Sequence, residues 1–450
     1  MSRAILRNLV LTLGIAGLCL LSFSSAVQAV PSFARQTGME CYTCHTVWPE
    51  LTPFGRQFKM TGYVMSKSDK LYQFPPPLSA LFQGSFTHTG RPQPPGAAPF
   101  NSSANDNVNL PQEVSVYYAG KIFYKLGAFM QFTYDGVSNA FLVDHTDIRF
   151  ANTAKLAGKP LIYGISFNNA PTVQDVWNST PAWGFPFASS SVALTPTAAT
   201  VIDGTLDQQV GGLGFYGYWN NLLYGEVNFY RTAAKGYPQF LSGGTHVTTV
   251  VSGVAPYWRV FLQHQWGKHS LMVGHYGLVA NIFPQGQARG PSDRFTDLAF
   301  DAQYQYISKK HRFSLATTWI HEIQNWSASF ALGNTANSFN FLNTYRVNLN
   351  YSYRSPYGTF GGNVAYFNTF GSRDALLYAA DQLDGSRTGR PNSDGVILQG
   401  LYVPPKWEQA KIVVQYTIYN NFNGAGANYD GSGRSAWANN TLYILAWLMF

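Results

Sequence analysis

The chain has 450 residues, a formal net charge of +8, 12% charged and 16% aromatic residues. Charged residues stand at about half the ~25% usual for soluble domains, and the basic ones are scattered without a Lys/Arg block, which excludes a nucleic-acid partner. No run of 18 apolar residues follows the N-terminal stretch, which excludes membrane-spanning helices.

Residues 1–29 read as a secretory signal peptide. Arg3 and Arg7 make a basic start. Leu9 to Leu21 is an apolar run too short for a membrane helix of about 20 residues, and Val27-Gln28-Ala29 ends on a small residue where cleavage needs one. Cys19 follows Leu18, not a small residue, so a lipid anchor is not expected and Cys19 leaves with the signal. An exported, charge-poor chain rich in Tyr, Phe and Gly, without long apolar runs, points to an outer-membrane β-barrel.

Residues 30–77 carry the chemistry. In ECYTCHTVW (40–48), Cys41, Cys44 and His45 make the Cys-x-x-Cys-His signature of covalent haem c attachment. Two thiols at this spacing reach the two vinyl groups of the ring, and the adjacent imidazole then lies beneath the iron as an axial ligand. A redox pair would open a helix after a strand in an α/β unit, and none follows. A zinc site needs four ligands, and there is no second cysteine pair. A plain disulfide has no use for His45. Met60, in GRQFKMTGY, is the candidate for the other axial position, with Met65 and His88 as alternatives. The segment is too short to bury a core by itself. A barrel mouth could wedge it, with Pro75-Pro76-Pro77 as a stiff hinge.

Residues 78–450 alternate as lipid-exposed strands must. In YRVNLNYSY (345–353), Tyr345, Val347, Leu349, Tyr351 and Tyr353 share one face, with Arg346, Asn348, Asn350 and Ser352 on the other. LAFDAQYQY (298–306) repeats the pattern, with Asp301, Gln303 and Gln305 on the wet face. The pattern predicts about sixteen antiparallel strands, near 78–88, 112–124, 125–135, 141–152, 159–168, 208–218, 221–231, 252–264, 269–281, 295–307, 312–324, 340–353, 358–368, 393–403, 410–420 and 440–450. Links after even-numbered strands are short. Most links after odd-numbered strands are long, and segments such as 178–200 are expected as extracellular loops or as chain folded into the lumen. Short periplasmic turns alternating with long outer loops place both termini in the periplasm. The expected fold is an all-β transmembrane barrel with a short N-terminal c-type haem segment, in the bacterial outer membrane, the haem being periplasmic or within the lumen.

AVPSFARQTGMECYTCHTVWPELTPFGRQFKMTGY (29–63) closely resembles the N-terminal signature of the fused monohaem cytochrome c–porin family of bacterial outer membranes, whose best-known activity is iron oxidation. The match runs through Pro31, Phe33, Ala34, Arg35, Gln36, Thr37 and Gly38, the haem motif, then Pro49, Leu51, Gly55, Arg56, Phe58, Lys59, Gly62 and Tyr63. The resemblance implies one haem c at Cys41, Cys44 and His45. It also suggests Arg35, Arg56 and Lys59 as partners of the haem propionates, and Phe33, Trp48, Phe54 and Phe58 as packing against the ring. It implies single electrons passing from an extracellular donor, Fe(II) in the iron-oxidising members, to a periplasmic c-type cytochrome or copper protein. No catalytic acid or base is needed. The alternatives are an electron conduit that does not use iron, and a solute porin with a structural or sensing haem. On the wet faces, His145 and Asp147 share one side of a strand, whereas His321 and Glu322 point apart.

Overall fold

A computed structural model of the chain describes residues 31–66, 76–99, 102–180, 184–232, 247–285, 287–383 and 385–450. The signal peptide, Cys19 and Pro75 lie outside them. Sixteen strands form one closed barrel: β1 Leu78–Thr89, β2 Asn107–Phe123, β3 Leu126–Asp135, β4 Ala140–Leu156, β5 Lys159–Asn168, β6 Gly211–Trp219, β7 Leu223–Arg231, β8 Ala255–Trp266, β9 His269–Ile282, β10 Asp293–Ile307, β11 His311–Asn325, β12 Phe339–Ser355, β13 Gly358–Gly371, β14 Ser393–Val403, β15 Ala410–Asn421 and β16 Thr441–Met449. Each strand pairs antiparallel with its neighbours in sequence, and β1 closes on β16 with Leu81 opposite Met449. All sixteen expected strands are present.

The burial pattern is inverted relative to a soluble protein. Along β8, Tyr257, Arg259, Phe261 and Gln263 are buried, while Val260 and Leu262 between them are exposed. Phe141, Phe150, Phe300 and Trp319 lie on the same outer surface. Only hydrocarbon outside and polar contents inside make that pattern favourable, and only closure leaves no unpaired strand edge in lipid. Among the described residues no helix is long and apolar enough to cross a membrane. The chain is an outer-membrane β-barrel.

The tight turns sit at one end. At the three-residue β6–β7 link, 220–222, Asn220 and Asn221 both take positive φ, 55° and 53°, a backbone region that Asn enters more readily than most residues. The longest described link at the other end does not stay outside. Residues 169–180 and 184–210 fold into the lumen, where Ala170, Val173, Gln174, Trp177 and Thr180 are fully buried. The Asp175 carboxylate caps this loop by accepting from the backbone N–H groups of Trp177, Ser179 and Thr180 at 2.8–3.0 Å. Further on, the N–H groups of Val201 and Ile202 donate to Glu322 on β11 and Asp297 on β10.

This topology predicts which positions are reached from outside. A tag inserted at Gly96, in the β1–β2 link, should be labelled on intact cells. Tags within 172–180 or at the 308–310 turn should not. Labelling of the 308–310 turn with silence at Gly96 would reverse the orientation.

Candidate haem site in the barrel lumen

Residues 31–66 form three short helices: α1 Pro31–Thr37, α2 Cys41–Cys44 and α3 Pro53–Met60. Pro53 occupies the first turn of α3, where its missing N–H costs nothing, and the Thr52 hydroxyl accepts from Gly55 N at 3.2 Å. The same hydroxyl donates to the Thr43 carbonyl at 2.7 Å, tying α3 to α2. Gly55 is required because a Cβ there would run into the Cys44 carbonyl. Gly62 (φ 76°) then turns the chain so that its carbonyl presses on Gly127 of β3, another position with no room for a Cβ.

This segment is bonded around most of the barrel wall near the tight-turn end. Arg56 donates to Gln303 and Gln305 on β10 at 3.0 and 2.9 Å and to Ser270 on β9 at 3.1 Å. The Tyr63 hydroxyl donates to Asp147 on β4 at 2.5 Å. Glu50 is fully buried, taking hydrogen bonds from Ser314 and Gln305 at 3.0 and 3.1 Å and from Thr46. Burial nonetheless raises its pKa. Arg312 on β11 donates to the carbonyls of Tyr42 and His45, and Glu408 accepts from Cys41 N at 3.1 Å.

Between segment, wall and loop lies a cavity of about 330 Å³, within the size range of cofactor sites. Cys41, Cys44 and His45 all line it. Phe33, Trp48, Phe58, Leu81, Tyr117 and Phe129 make its apolar sides, and Pro186 and Phe187 of the lumen loop its roof. Phe33 and Phe58 meet edge to face at 5.0 Å. The two thiols are unbonded. Burial raises both, Cys44 to about 11, and Glu408 raises Cys41 further, so both stay protonated. The His45 Nδ1 lies 3.2 Å from the Pro49 carbonyl. Burial pulls this imidazole down to about 4, so the ring is neutral. An Nδ1–H donated to a carbonyl fixes the tautomer and leaves Nε2 as a lone-pair donor. A largely apolar cavity, two unbonded thiols and a neutral imidazole oriented from behind fit a covalently attached haem c.

Several expected partners stand elsewhere. Met60 does not line the cavity: it is 1% exposed, packed with Ile162, Trp177, Tyr216 and Phe261, because it closes the face of α3 turned to the wall and lumen loop. Arg56 is likewise turned to β9 and β10, and Arg35 donates to the Leu78 carbonyl, so neither reaches the cavity. Lys59 does line it, and its ammonium also binds the carbonyls of Val173 and Asp175 at 2.5 and 3.2 Å; desolvation lowers it to about 8. Phe54 is not on the lining, and His88 pairs with Asp106 toward the opposite end of β1. The sequence reading had no role for Glu50, Arg312 or Glu408. Their function depends on which strand faces the segment, and no local pattern carries that.

No protein-family model matches the chain, and no curated protein matches it. Among solved structures, DcaP, an outer-membrane channel of Acinetobacter baumannii, is 11% identical with a TM-score of 0.44, over 83% of this chain and 96% of its own. The anion-selective porin of Comamonas acidovorans is 8% identical with a TM-score of 0.44, over 83% and 98%. In-vitro folded OmpT of Vibrio cholerae is 10% identical with a TM-score of 0.43, over 83% and 96%. The barrel assignment rests on this chain's own strand pairing.

Glu50 should be a principal anchor of the segment. Glu50→Ala strands donors from Thr46, Gln305 and Ser314, at about 1–3 kcal/mol for each group left unsatisfied. Trypsin should then cut after Arg56 or Lys59 much faster than in the unaltered protein, with the barrel still heat-modifiable on gels. Unchanged protease resistance would show that the segment is held by other contacts.

Proposed function

We propose that the protein is an outer-membrane cytochrome–porin that moves single electrons between an extracellular donor and a periplasmic carrier. The observation that supports this most directly is the convergence of Cys41, Cys44 and His45 on one lumen cavity, with Pro49 behind the imidazole. Bound haem c would supply a one-electron couple there. Each remaining part belongs to the polypeptide. Cys41 and Cys44 anchor the ring, and Pro49 aims His45. Phe33, Phe58, Tyr117 and Phe129 exclude water, and Arg312 and Glu408 hold α2 against the wall.

Fe(II) is the donor the family resemblance suggests: it gives up one electron and leaves as Fe(III), outside the cell, where its poor solubility does no harm. A one-electron site suits that donor and suits two-electron substrates poorly. At the tight-turn end, Arg35, Gly38, Glu40 and Thr43 are exposed beside the haem motif, which offers a periplasmic cytochrome or copper protein a place to dock. Once Arg3 and Arg7 leave with the signal peptide, 28 basic residues face 22 acidic ones, and this net charge of +6 repels cations at long range, which favours a conduit with another donor as the second reading. A solute pore is a poorer match, because the N-terminal segment and residues 169–180 and 184–210 all occupy the lumen.

Denatured, acid–acetone-extracted protein should retain haem absorbance, and Cys41→Ala with Cys44→Ala should abolish it. Excess Fe(II) should reduce the detergent-solubilised protein at the pH of growth, and His45→Ala should remove this reduction while the barrel stays heat-modifiable. Covalent haem surviving the double cysteine change would sink the attachment. Haem that stays oxidised under Fe(II) would leave the iron-independent conduit.

A further inference from the structure

We infer that the barrel itself closes the haem site, with His145 of β4 as the second axial ligand. The inference rests on the haem reading above and adds the residue that faces His45.

Apart from His45, the residues lining the cavity include three side chains of the kinds that commonly complete haem ligation: Met39, Met449 and His145. Met39 lies two residues before Cys41, on the same short stretch of chain as the anchoring thiols, and is poorly placed to approach from the opposite side. Met449 is 5% exposed and packed into an apolar cluster with Leu81, Tyr117 and Ala119. His145 keeps 21% of its side chain exposed, turned into the cavity.

Its placement has a structural cause. In the β3–β4 ladder Met130 pairs with Thr146 and Phe132 with Val143, so Gln131 alone faces both Asp144 and His145. This is a β-bulge, a device that re-aims side chains beside functional sites. Here it turns two consecutive residues, Asp144 and His145, into the same cavity. Regular alternation would have sent one of them to lipid. Asp144 is fixed by Gln208 of the lumen loop at 3.0 Å and by Thr133 at 3.3 Å. Its Oδ1 lies 3.7 Å from the His145 Nε2.

Position around the barrel agrees. The His45 carbonyl is held by Arg312 on β11, whereas His145 stands on β4, seven strands away in a closed ring of sixteen. The backbone that carries His45 and the strand that carries His145 therefore stand on well-separated parts of the ring, an arrangement that suits two axial ligands.

Full-length protein in detergent tests this. Haem content is read from the pyridine haemochrome of denatured protein, and ligation from low-temperature electron paramagnetic resonance and near-infrared magnetic circular dichroism of folded protein. The unaltered ferric protein should be low-spin with two imidazoles. His145→Ala should convert it to high-spin with haem content unchanged, and added imidazole should restore the low-spin signal. His145→Met, a variant of similar bulk, should bring in the thioether charge-transfer band and raise the midpoint potential. Met449→Leu should leave every signal as it was. A low-spin His145→Ala protein with full haem content overturns the inference. So does a thioether band in the unaltered protein that Met449→Leu removes. Absence of haemochrome from the unaltered protein would instead overturn the haem reading itself.

Discussion

A closed barrel in lipid must turn one side of every strand to hydrocarbon, and the polar residues displaced from that side have to be satisfied inside. Arg56, Arg149 and Arg259 are all fully buried. Arg149 pairs with Asp147 at 2.8 Å, and Arg259 pairs with Asp301 of β10 and lies 3.6 Å from Asp175 of the lumen loop. Removing one partner of such a buried pair costs about 3–5 kcal/mol, because the other charge is left in a medium that cannot solvate it. The contents of the lumen are therefore structural partners of the wall. Trp177 illustrates the point. Arg56 of the N-terminal segment and Arg259 of β8 lie 5.6 and 5.8 Å from its ring, so segment, loop and wall meet on one side chain.

The same constraint explains what could be read in advance. Period-two alternation between lipid and water is enforced residue by residue, so strands such as 159–168 and 393–403 show their full extent in the sequence. β2 begins at Asn107, earlier than alternation indicated, since Pro111 reads as a break. In the ladder, Gln83 pairs with Glu113 and Ser85 with Asn109, so Pro111 falls in a bulge, where a strand tolerates a missing donor. The lumen course of 169–180 and 184–210 is less legible, because the Pro, Gly and Ser content of this link matches that of loops facing outward. Its contacts inside the barrel, among them those with Glu322, Asp297 and Arg259, distinguish it.

Within the site the same division holds. Cys41, Cys44 and His45 are recognisable because their chemistry depends on local spacing. Met60 is suggested by its distance along the chain and Arg35 and Arg56 by the family resemblance, and the helices turn all three toward the wall. His145 and Asp147 were correctly seen to share a face of one strand, and Asp147 indeed meets Tyr63 of the segment. The bulge that adds Asp144 to that face depends on the register of β3 against β4, which neither strand's own sequence states.

The position of the cavity also constrains how the molecule is assembled. A segment of this size cannot enclose a site alone, and here the barrel supplies the missing walls. Two of those walls are the first and last strands: Leu81 and Gln83 of β1 stand beside Trp447 and Met449 of β16. These strands come together only when the barrel closes, at the pairing of Leu81 with Met449. Before closure, the face of α1 and α2 that carries Cys41 and Phe33 would lack that side of its enclosure. A pocket that exists only across the seam makes the finished cavity a direct consequence of barrel closure.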